Sequence, residues 1–514
     1  MDELRSLRRR QWWSAFAILA GLSIVWAFAI PLFASPDEPA HVVRAISTAH
    51  GQFLGDEFGP DQVPPYPVPV DQEPWKPGLS VDVPGVYQNW GHIECLIFDW
   101  NAQQSADCLT LDGPTEDMRA FTNVGRYPPA YYFVVGAVSW LTPAGSIEIY
   151  AMRIVSGLLC AALLSSAIVT LWSRSRSPLA RVGIAVGITP MVMFLTGTVN
   201  ANAIEIAAGI GVWVNGLILA TREPDDHDTT VLNRFGVAAI VLVLSRPGSV
   251  LWLAVTGVII VFVAGLPTLR TWWQWTRARL WAGGLVFTLI LQLVWFLYAK
   301  TLDVRRTFIA VPVHAPWSDD LRASLGSEFT WLRQMIGVFG WLDAPAPSFV
   351  IVLWVAAIAA VIGLALVAAR RRLLIAIAAL LACCVLIPVA YQAKLGDSVG
   401  YFWQGRYLLP LAVGVPLLAG IGAATGGMNL PAHRIRRYAL IMATLLAVGQ
   451  WIALTQLLRR YSVGSDGTVW FFTAARWNPP IPSILLLIAD AALLAVGVIW
   501  TSGLRLRSVD SEDV

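Results

Sequence analysis

Long apolar segments alternate with short polar segments along almost the whole chain. Most of them hold about 18 to 24 residues, the length of an α-helix that crosses about 30 Å of hydrocarbon. The pattern predicts an all-α integral membrane protein with about 12 transmembrane helices. We place these helices at residues 12–33, 148–172, 179–198, 203–220, 234–246, 249–266, 281–299, 348–368, 373–391, 406–424, 438–456 and 481–501.

Clusters of arginine between the apolar segments predict how the helices are oriented. Short basic connections and termini face the cytoplasm according to the positive-inside rule. Both termini then lie on the cytoplasmic side, which requires an even number of membrane-spanning helices. The clusters are Arg5, Arg8, Arg9 and Arg10; Arg174, Arg176 and Arg181; Arg270, Arg277 and Arg279; Arg370, Arg371 and Arg372; Arg434, Arg436 and Arg437; and Arg505 and Arg507.

The long polar segments all fall on the opposite side of the predicted membrane. Residues 34–147 form the longest of them, and because a structureless loop of that length is unusual, we expect a folded element. Its end, 127–141, is apolar and aromatic but too short to span, which predicts a helix at the membrane surface. The other outer loops are expected near 300–347, 392–405 and 459–480.

These boundaries divide the chain into four parts and place it in the cell membrane as a multi-pass protein. Residues 1–33 hold the cytoplasmic N-terminus and the first transmembrane helix, and 34–147 form an extracytoplasmic loop with juxtamembrane helices. Residues 148–501 hold transmembrane helices 2–12, and 502–514 form a cytoplasmic tail. The first apolar segment is longer than the core of a signal peptide, and no small-residue cleavage site follows it, so we expect it to be retained.

Composition agrees with a membrane protein and excludes other classes. Hydrophobic residues make up 56% of the chain and charged residues 13%, which is too few charges to cover a soluble protein of this size. A net charge of +3 is too small to indicate nucleic-acid binding. Cys95 and Cys108 share the first outer loop, where an oxidising compartment would favour a disulfide over two free thiols.

The segment that directly follows the first predicted helix carries the first candidate site. Asp37 and Glu38 are adjacent carboxylates at the membrane–water boundary. If a helix begins here, Asp37, His41 and Arg44 fall on one face and are suited to deprotonate a hydroxyl and bind a phosphate. A structural interpretation competes, because Ser35 and Glu38 match a capping box.

The second candidate segment, 125–132, reads Gly-Arg-Tyr-Pro-Pro-Ala-Tyr-Tyr. Tandem prolines end one element and start the next, and aromatic residues suit the membrane interface. The functional interpretation makes Arg126 an anion contact and makes Tyr127 and Tyr131 a wall for a sugar or a lipid.

The third candidate segment, 401–410, places Arg406 at the outer end of an apolar helix, beside Gln404 and Tyr407. An arginine there either extends to the interface or, inside a bundle, pairs with an anion. Lys394 lies in the same loop. Weaker candidates are Asn200, Asn202 and Glu205 at one outer turn, where helix capping is an equal explanation, and Arg246 at another turn.

At these residues the chain resembles the GT-C superfamily of membrane glycosyltransferases, within a poorly characterised bacterial polytopic membrane-protein family of that clan. The resemblance rests on the order of four short motifs along most of the chain. The motifs are Pro36-Asp37-Glu38 with His41 and Arg44-Ala45, Val199-Asn200-Ala201-Asn202-Ala203, Tyr127-Pro128-Pro129 with Tyr131-Tyr132, and Gln404-Gly405-Arg406-Tyr407-Leu408-Leu409-Pro410.

The resemblance implies sugar transfer from a polyprenyl-phosphate donor to a glycan, lipid or protein acceptor outside the cytoplasm, with inversion at the sugar. Its general base corresponds to Asp37, with Glu38 as neighbour or substitute. The cations expected to bind the donor phosphate are Arg406, Arg44, Arg126 and Lys394. The residues expected to line the substrate pocket are His41, Tyr127, Tyr131, Gln404, Tyr407 and Asn200. No cofactor or metal is expected, although a carboxylate-bound divalent ion stays open.

Two other functional classes fit a polytopic chain. A transporter or flippase of lipid-linked glycans would also hold arginine inside the membrane, but transporters built from inverted repeats usually show two matching halves, which this sequence lacks. A scaffold without activity is the third possibility. Sugar transfer by purified protein in detergent, without a membrane gradient, separates the enzyme from the transporter.

Overall fold

The structure is a computed structural model that describes residues 2–57, 78–97, 104–175, 177–222, 228–303, 316–426 and 431–502. The predicted cytoplasmic tail lies outside the described residues from position 503 onward, as do Arg176, Arg505 and Arg507 among the basic residues used to predict the topology. Helices dominate the described residues, and the strands form two short antiparallel pairs.

The bounds of the α-helices and strands follow in chain order. The helices are α1 (Asp2–Ala29), α2 (Glu38–Ala49), α3 (Glu94–Ile97), α4 (Pro129–Gly136), α5 (Ser146–Arg174), α6 (Pro178–Gly187), α7 (Pro190–Thr196), α8 (Ala201–Thr221), α9 (Asp228–Ser245), α10 (Ser249–Gln274), α11 (Thr276–Tyr298), α12 (Trp317–Gly326), α13 (Glu328–Gly337), α14 (Ser348–Ala368), α15 (Arg371–Val399), α16 (Leu409–Ala412), α17 (Gly414–Thr425), α18 (Ala432–Val463) and α19 (Ser483–Ser502). The strands are β1 (Leu79–Pro84), β2 (Asp117–Thr122), β3 (Val338–Phe339) and β4 (Ala344–Pro345).

Ten helical segments in the described part of the chain are long and apolar enough to cross a membrane. The bent pair α6 and α7, whose axes differ by 64°, is an eleventh candidate, and α9 is a shorter apolar helix. Each predicted transmembrane segment overlaps one of these helices. The prediction of an all-α membrane protein is therefore confirmed, with one span broken and one short.

Local chemistry explains where the helices depart from their predicted bounds. α1 ends at Ala29 rather than Phe33, because Pro31 lacks the N–H that another turn requires. The predicted helix 179–198 breaks at Thr189, whose hydroxyl caps α7 by accepting from the backbone N–H of Val192 at 3.4 Å. α15 continues to Val399, so most of the outer loop predicted at 392–405 is helical.

The described residues of the predicted first outer segment, between α1 and α5, are folded, as the length of the segment led us to expect. Every residue of α2 is buried, and α2 packs against α4 and against both strands of the β1–β2 hairpin. The predicted surface helix near 127–141 corresponds to α4 and the 3-10 turn that follows it. A disulfide joins Cys95 to Cys108, and the predicted pairing is thus confirmed.

The long connections between the helices contact one another. The first outer segment contacts the segment after α11 through Arg126, which donates to the carbonyl of Ala299 at 2.7 Å. Arg460, near the end of α18, lies 3.0 Å from the carboxylate of Asp343 in the segment before α14. Trp341 in that segment donates to the carbonyl of Phe33 at 3.2 Å. These connections therefore form one layer over one end of the helices.

Candidate functional site: a carboxylate beside a pair of arginines

Asp37 occupies the turn between α1 and α2. Its backbone adopts the left-handed conformation, with φ of 63°, which aspartate tolerates better than most residues. Asp37 is the N-cap of α2, yet its side chain makes no capping hydrogen bond. The carboxylate is thus available for another partner, and 25% of the side chain is exposed.

The partner is Arg406, which lies in the 3-10 turn Gly405–Leu408. Its Nη2 donates to Oδ2 of Asp37 at 2.5 Å, and its Nε donates to the side chain of Gln404 at 2.8 Å. The Arg406 side chain is only 3% exposed. Gly405 permits the close approach of this turn to α13, because a Cβ at that position would lie 2.0 Å from the carbonyl oxygen of Trp331.

A second arginine stands beside the first. The guanidinium carbons of Arg246 and Arg406 lie 4.9 and 5.1 Å from the centre of the Tyr407 ring, and Arg246 is also 5.6 Å from the ring of Tyr127. Nη1 of Arg246 donates to Glu205 at 3.1 Å. Two guanidiniums thus share one aromatic ring, and each has one carboxylate as its counterion.

Glu205 is held by three hydrogen-bond donors. Arg246 and Asn202 donate to its Oε2, at 3.1 and 2.9 Å, and the hydroxyl of Ser249 donates to its Oε1 at 2.7 Å. The Glu205 side chain is 0% exposed, whereas 15% of Arg246 is exposed. Among the two acidic partners of the arginine pair, Asp37 is therefore the one that a ligand reaches.

Electrostatics keep Asp37 ionised and His41 neutral. Burial raises the pKa of Asp37, but the surrounding positive charges, above all that of Arg406, and the hydrogen bond from Arg406 together more than offset this, and the pKa lies below its usual value. Burial is also the main cause that lowers the pKa of His41 to about 3. His41 Nδ1 lies 2.8 Å from the hydroxyl of Tyr132, on whose ring it stacks.

Glu38 has a different environment from its neighbour Asp37. It forms a bidentate ion pair with Arg153, at 2.8 and 2.6 Å, and accepts from the backbone N–H groups of Phe33 and Val199 at 3.1 and 3.0 Å. Both charged side chains are 0% exposed. The expected capping box is absent, because Glu38 is the first residue of α2 and accepts from Phe33 rather than Ser35.

Three of the four cations expected at the donor phosphate do not contact Asp37. Arg44 is fully buried and donates to the carbonyls of Tyr127 and Gln52. Arg126 is buried and lies 3.4 Å from Glu57. Lys394 is exposed on α15. Only Arg406 contacts Asp37.

The expected pocket residues also separate into two groups. Tyr127, Gln404 and Tyr407 contact Arg246 or Arg406. Asn200 caps α8 and donates to the carbonyl of Pro36 at 3.1 Å, so it holds the turn that carries Asp37. Tyr131 is buried against Ser156, with 2.9 Å between the hydroxyls.

Sequence reasoning underestimated two arginines. Arg246 ranked as a weak candidate, and Arg153 was not considered, although it falls inside the predicted helix 148–172. An ionisable side chain within a membrane-spanning segment requires a partner, and that signal alone points to Arg153. In the described residues no group of three or more His, Cys, Asp or Glu side chains is arranged to hold a metal ion.

Comparison with known protein families assigns the chain to one of them. Residues 20–415 match the family described as predicted membrane protein (DUF2142). The chain belongs to this family. The expected membership of a polytopic membrane-protein family is confirmed by the match. No curated protein shows significant sequence similarity to the chain.

Among solved structures, the chain is similar to ArnT from Cupriavidus metallidurans in the apo state. The sequence identity is 14%, and the alignment covers 93% of this chain and 74% of that chain, with a TM-score of 0.42. A TM-score at this level is too low to establish a shared fold.

Proposed function

We propose that the protein is an inverting membrane glycosyltransferase that takes its sugar from a polyprenyl-phosphate donor. The observation that carries this proposal is the carboxylate of Asp37, partly exposed and in contact with the buried Arg406, beside which Arg246 shares the ring of Tyr407. A reaction between a hydroxyl group and a sugar phosphate requires a base and a site for the phosphate charge. The Asp37 site offers both.

The two guanidiniums provide the phosphate site. Arg406 and Arg246 are fixed by Asp37, Gln404 and Glu205, so little side-chain freedom is lost when they bind an anion. Arginine presents its N–H donors in a planar fork that matches phosphate oxygens. We assign the donor phosphate to Arg406 and Arg246 rather than to Arg44, Arg126 or Lys394.

Asp37 provides the base. The acceptor hydroxyl transfers its proton to the Asp37 carboxylate while the acceptor oxygen forms a bond to C1 of the sugar. The bond between C1 and the phosphate oxygen breaks, and its electron pair leaves with the polyprenyl phosphate. A positioned base of this kind contributes about 10² to 10⁴ in rate.

The ion pair couples the basicity of Asp37 to the binding of the donor phosphate at Arg406. Burial raises the pKa of the Asp37 carboxyl, and without a donor the positive charge of Arg406 lowers it. The carboxylate is then a weak base. An incoming phosphate competes for the Arg406 guanidinium. Asp37 then becomes more basic only when a donor is bound.

Three features favour an active site on the outer face. The short connections are rich in arginine, which predicts that they are cytoplasmic. The Asp37 site lies in the layer formed by the long connections at the opposite end. The Cys95–Cys108 disulfide in that layer suits an oxidising compartment. We therefore propose that a glycan, lipid or protein acceptor reaches Asp37 from outside the cytoplasm.

The test is sugar transfer by the purified protein in detergent, with polyprenyl-phosphate sugars as donors and mixed envelope glycans and lipids as acceptors. We expect release of polyprenyl phosphate and labelling of an acceptor, and a loss of about 10² to 10⁴ in rate for Asp37→Asn. Asp82→Asn is the control, because Asp82 of β1 is exposed and pairs with the exposed Arg119 of β2. A folded Asp37→Asn variant with normal transfer would exclude this mechanism.

The same preparation tests the other assignments. We propose that transfer needs no metal ion, so EDTA should leave the rate unchanged. A transporter or flippase of lipid-linked glycans would show no transfer in detergent, but it would exchange labelled lipid between the leaflets of proteoliposomes. That pair of results would replace the enzyme proposal.

A further inference from the structure

An apolar cavity of about 150 Å³ lies between the helices at some distance from the Asp37 site. α1, α6, α18 and α19 contribute most of its wall, including Leu22, Ile184, Leu446 and Leu493. This volume holds about six carbon atoms, and because the cavity is partly open, a longer chain extends beyond it. A cavity with such walls remains dry unless polar groups line it.

Four polar side chains also line the cavity: Arg181, Gln450, Asp490 and Thr501. Asp490 of α19 is 1% exposed, and neither of its carboxyl oxygens has a hydrogen-bond partner in the described residues. Gln450 of α18 donates to the carbonyl of Ile188 at 2.8 Å, while its own Oε1 also lacks a partner there. Trp451, next to Gln450, donates to the carbonyl of Leu487 at 3.0 Å. Gln450 and Asp490 therefore lie about one helical turn apart along α18 and α19.

Asp490 lies well inside a membrane-spanning helix, where an unpaired carboxyl is energetically unfavourable. It is seven residues beyond the start of α19, about 10 Å along the helix axis, within a segment that is apolar enough to span the membrane. An ionisable side chain at such a depth normally pairs with another group. Arg181 and Thr501 line the same cavity, but neither donates to Asp490 in the described residues, so its carboxyl is open to a ligand.

The cavity indicates what that ligand must be. Its walls require an apolar body. A protonated Asp490 donates one hydrogen bond and Oε1 of Gln450 accepts one, so a ligand that joins them must both accept and donate. A hydroxyl does both, and a neutral hydroxyl is easier to transfer into hydrocarbon than an ammonium ion. We propose that the cavity binds a lipid-like alcohol whose hydroxyl group bonds to Asp490 and Gln450. This site is independent of the proposed glycosyltransferase activity.

The experiment uses the full chain in lipid nanodiscs and the apolar reagent dicyclohexylcarbodiimide, which adds to carboxyl groups in apolar surroundings and is located by peptide mass spectrometry. The probes are n-decanol, n-decane and n-decylamine. We expect n-decanol at ten times its dissociation constant to slow the modification of Asp490 about tenfold, while n-decane has no effect. Glu148, which accepts from Tyr87 at the start of α5, is the internal control and should not respond.

Two variants separate the ligand site from a purely structural carboxyl. Gly497 lines the cavity, and a Cβ there would meet nothing within 4 Å, so Gly497→Leu should fill the space and abolish protection by n-decanol without loss of folding. Asp490→Leu should raise the melting temperature of the empty protein, because it removes an unpaired buried carboxyl. Equal protection by n-decane, stronger protection by n-decylamine, or destabilisation by Asp490→Leu would overturn the proposal.

Discussion

Asp37 and Arg406 are 369 positions apart in the sequence, yet Nη2 of Arg406 lies 2.5 Å from Oδ2 of Asp37. One residue follows α1 and the other precedes α16, so the contact joins two of the long connections at one end of the helices. The pair leaves a quarter of the Asp37 side chain accessible. This contact connects two motifs that sequence analysis had treated separately.

Replacement of Arg406 should weaken donor binding, and the loss should be smaller when the new side chain still binds phosphate. Arg406→Ala should weaken binding of a polyprenyl phosphate by about 10- to 100-fold, the equivalent of a charge-assisted hydrogen bond of about 1.5–3 kcal/mol. Arg406→Lys should lose less, because lysine keeps the charge and loses only the planar fork. Equilibrium binding of a fluorescent lipid phosphate measures both.

Arg119→Ala is the matched control for that series. Arg119 is an exposed arginine that pairs with Asp56 and Asp82 on the hairpin. Its loss should leave lipid-phosphate binding at the wild-type level. Wild-type affinity in both Arg406 variants would show that Arg406 is only an anchor for the Asp37 turn.

The sequence predicted the helices well and the site only in outline. Apolar length and the arginine clusters locate the spans because they depend on local composition alone. The bend at Thr189 depends on a capping hydroxyl and on Pro190, which lacks the N–H of a continuous helix, and hydropathy registers neither. Arg44 resembled a site cation, since it shares a helical face with Asp37 in sequence, but in the structure its guanidinium donates to backbone carbonyls. Only three-dimensional contacts distinguish these two uses of arginine.

Glu38 and Arg153 should determine stability rather than catalysis. Arg153 also donates to the carbonyls of Ala27, Ile30 and Pro31 at 2.7–2.8 Å, so it closes the end of α1. Arg153→Met leaves Glu38 buried without a counterion, and the free energy of unfolding should fall by about 3–5 kcal/mol. Denaturant unfolding in detergent measures the change.

The double variant Glu38→Gln with Arg153→Met should recover part of that loss, because no unpaired charge then remains. Glu38→Gln alone should transfer sugar at a rate near that of wild type for each folded molecule. A folded Glu38→Gln protein that is inactive, together with an active Asp37→Asn protein, would assign the base to Glu38 instead.

The layer of long connections should be accessible only from outside the cell. Glu116 is exposed in the first outer segment, and His433 is exposed near the start of α18 beside the arginine cluster. On intact cells, a membrane-impermeant thiol reagent should modify a Glu116→Cys variant and should modify His433→Cys only after permeabilisation. The wild-type chain, with three free cysteines among the described residues, gives the background. The reverse pattern would invert the topology.

His41 should make the protein less stable as the pH falls. Burial lowers the pKa of His41 to about 3 in the folded state, whereas an unfolded histidine titrates near pH 6.5. Between these values the unfolded chain binds one more proton than the folded chain, so stability rises with pH and is lost on acidification. From pH 7 to pH 5 this group should lower the free energy of unfolding by about 2 kcal/mol.

The comparison with His41→Gln isolates that contribution. Glutamine keeps a hydrogen-bonding group near the hydroxyl of Tyr132, the partner of His41 at 2.8 Å, but it does not titrate. Unfolding in detergent at pH 7, 6 and 5 should show a smaller loss for the variant, and the two curves should diverge by about 2 kcal/mol at pH 5. Parallel curves would mean that His41 accepts a proton inside the fold. In that case a neutral imidazole beside Asp37 would no longer describe the site, and His41 would become a candidate for proton transfer.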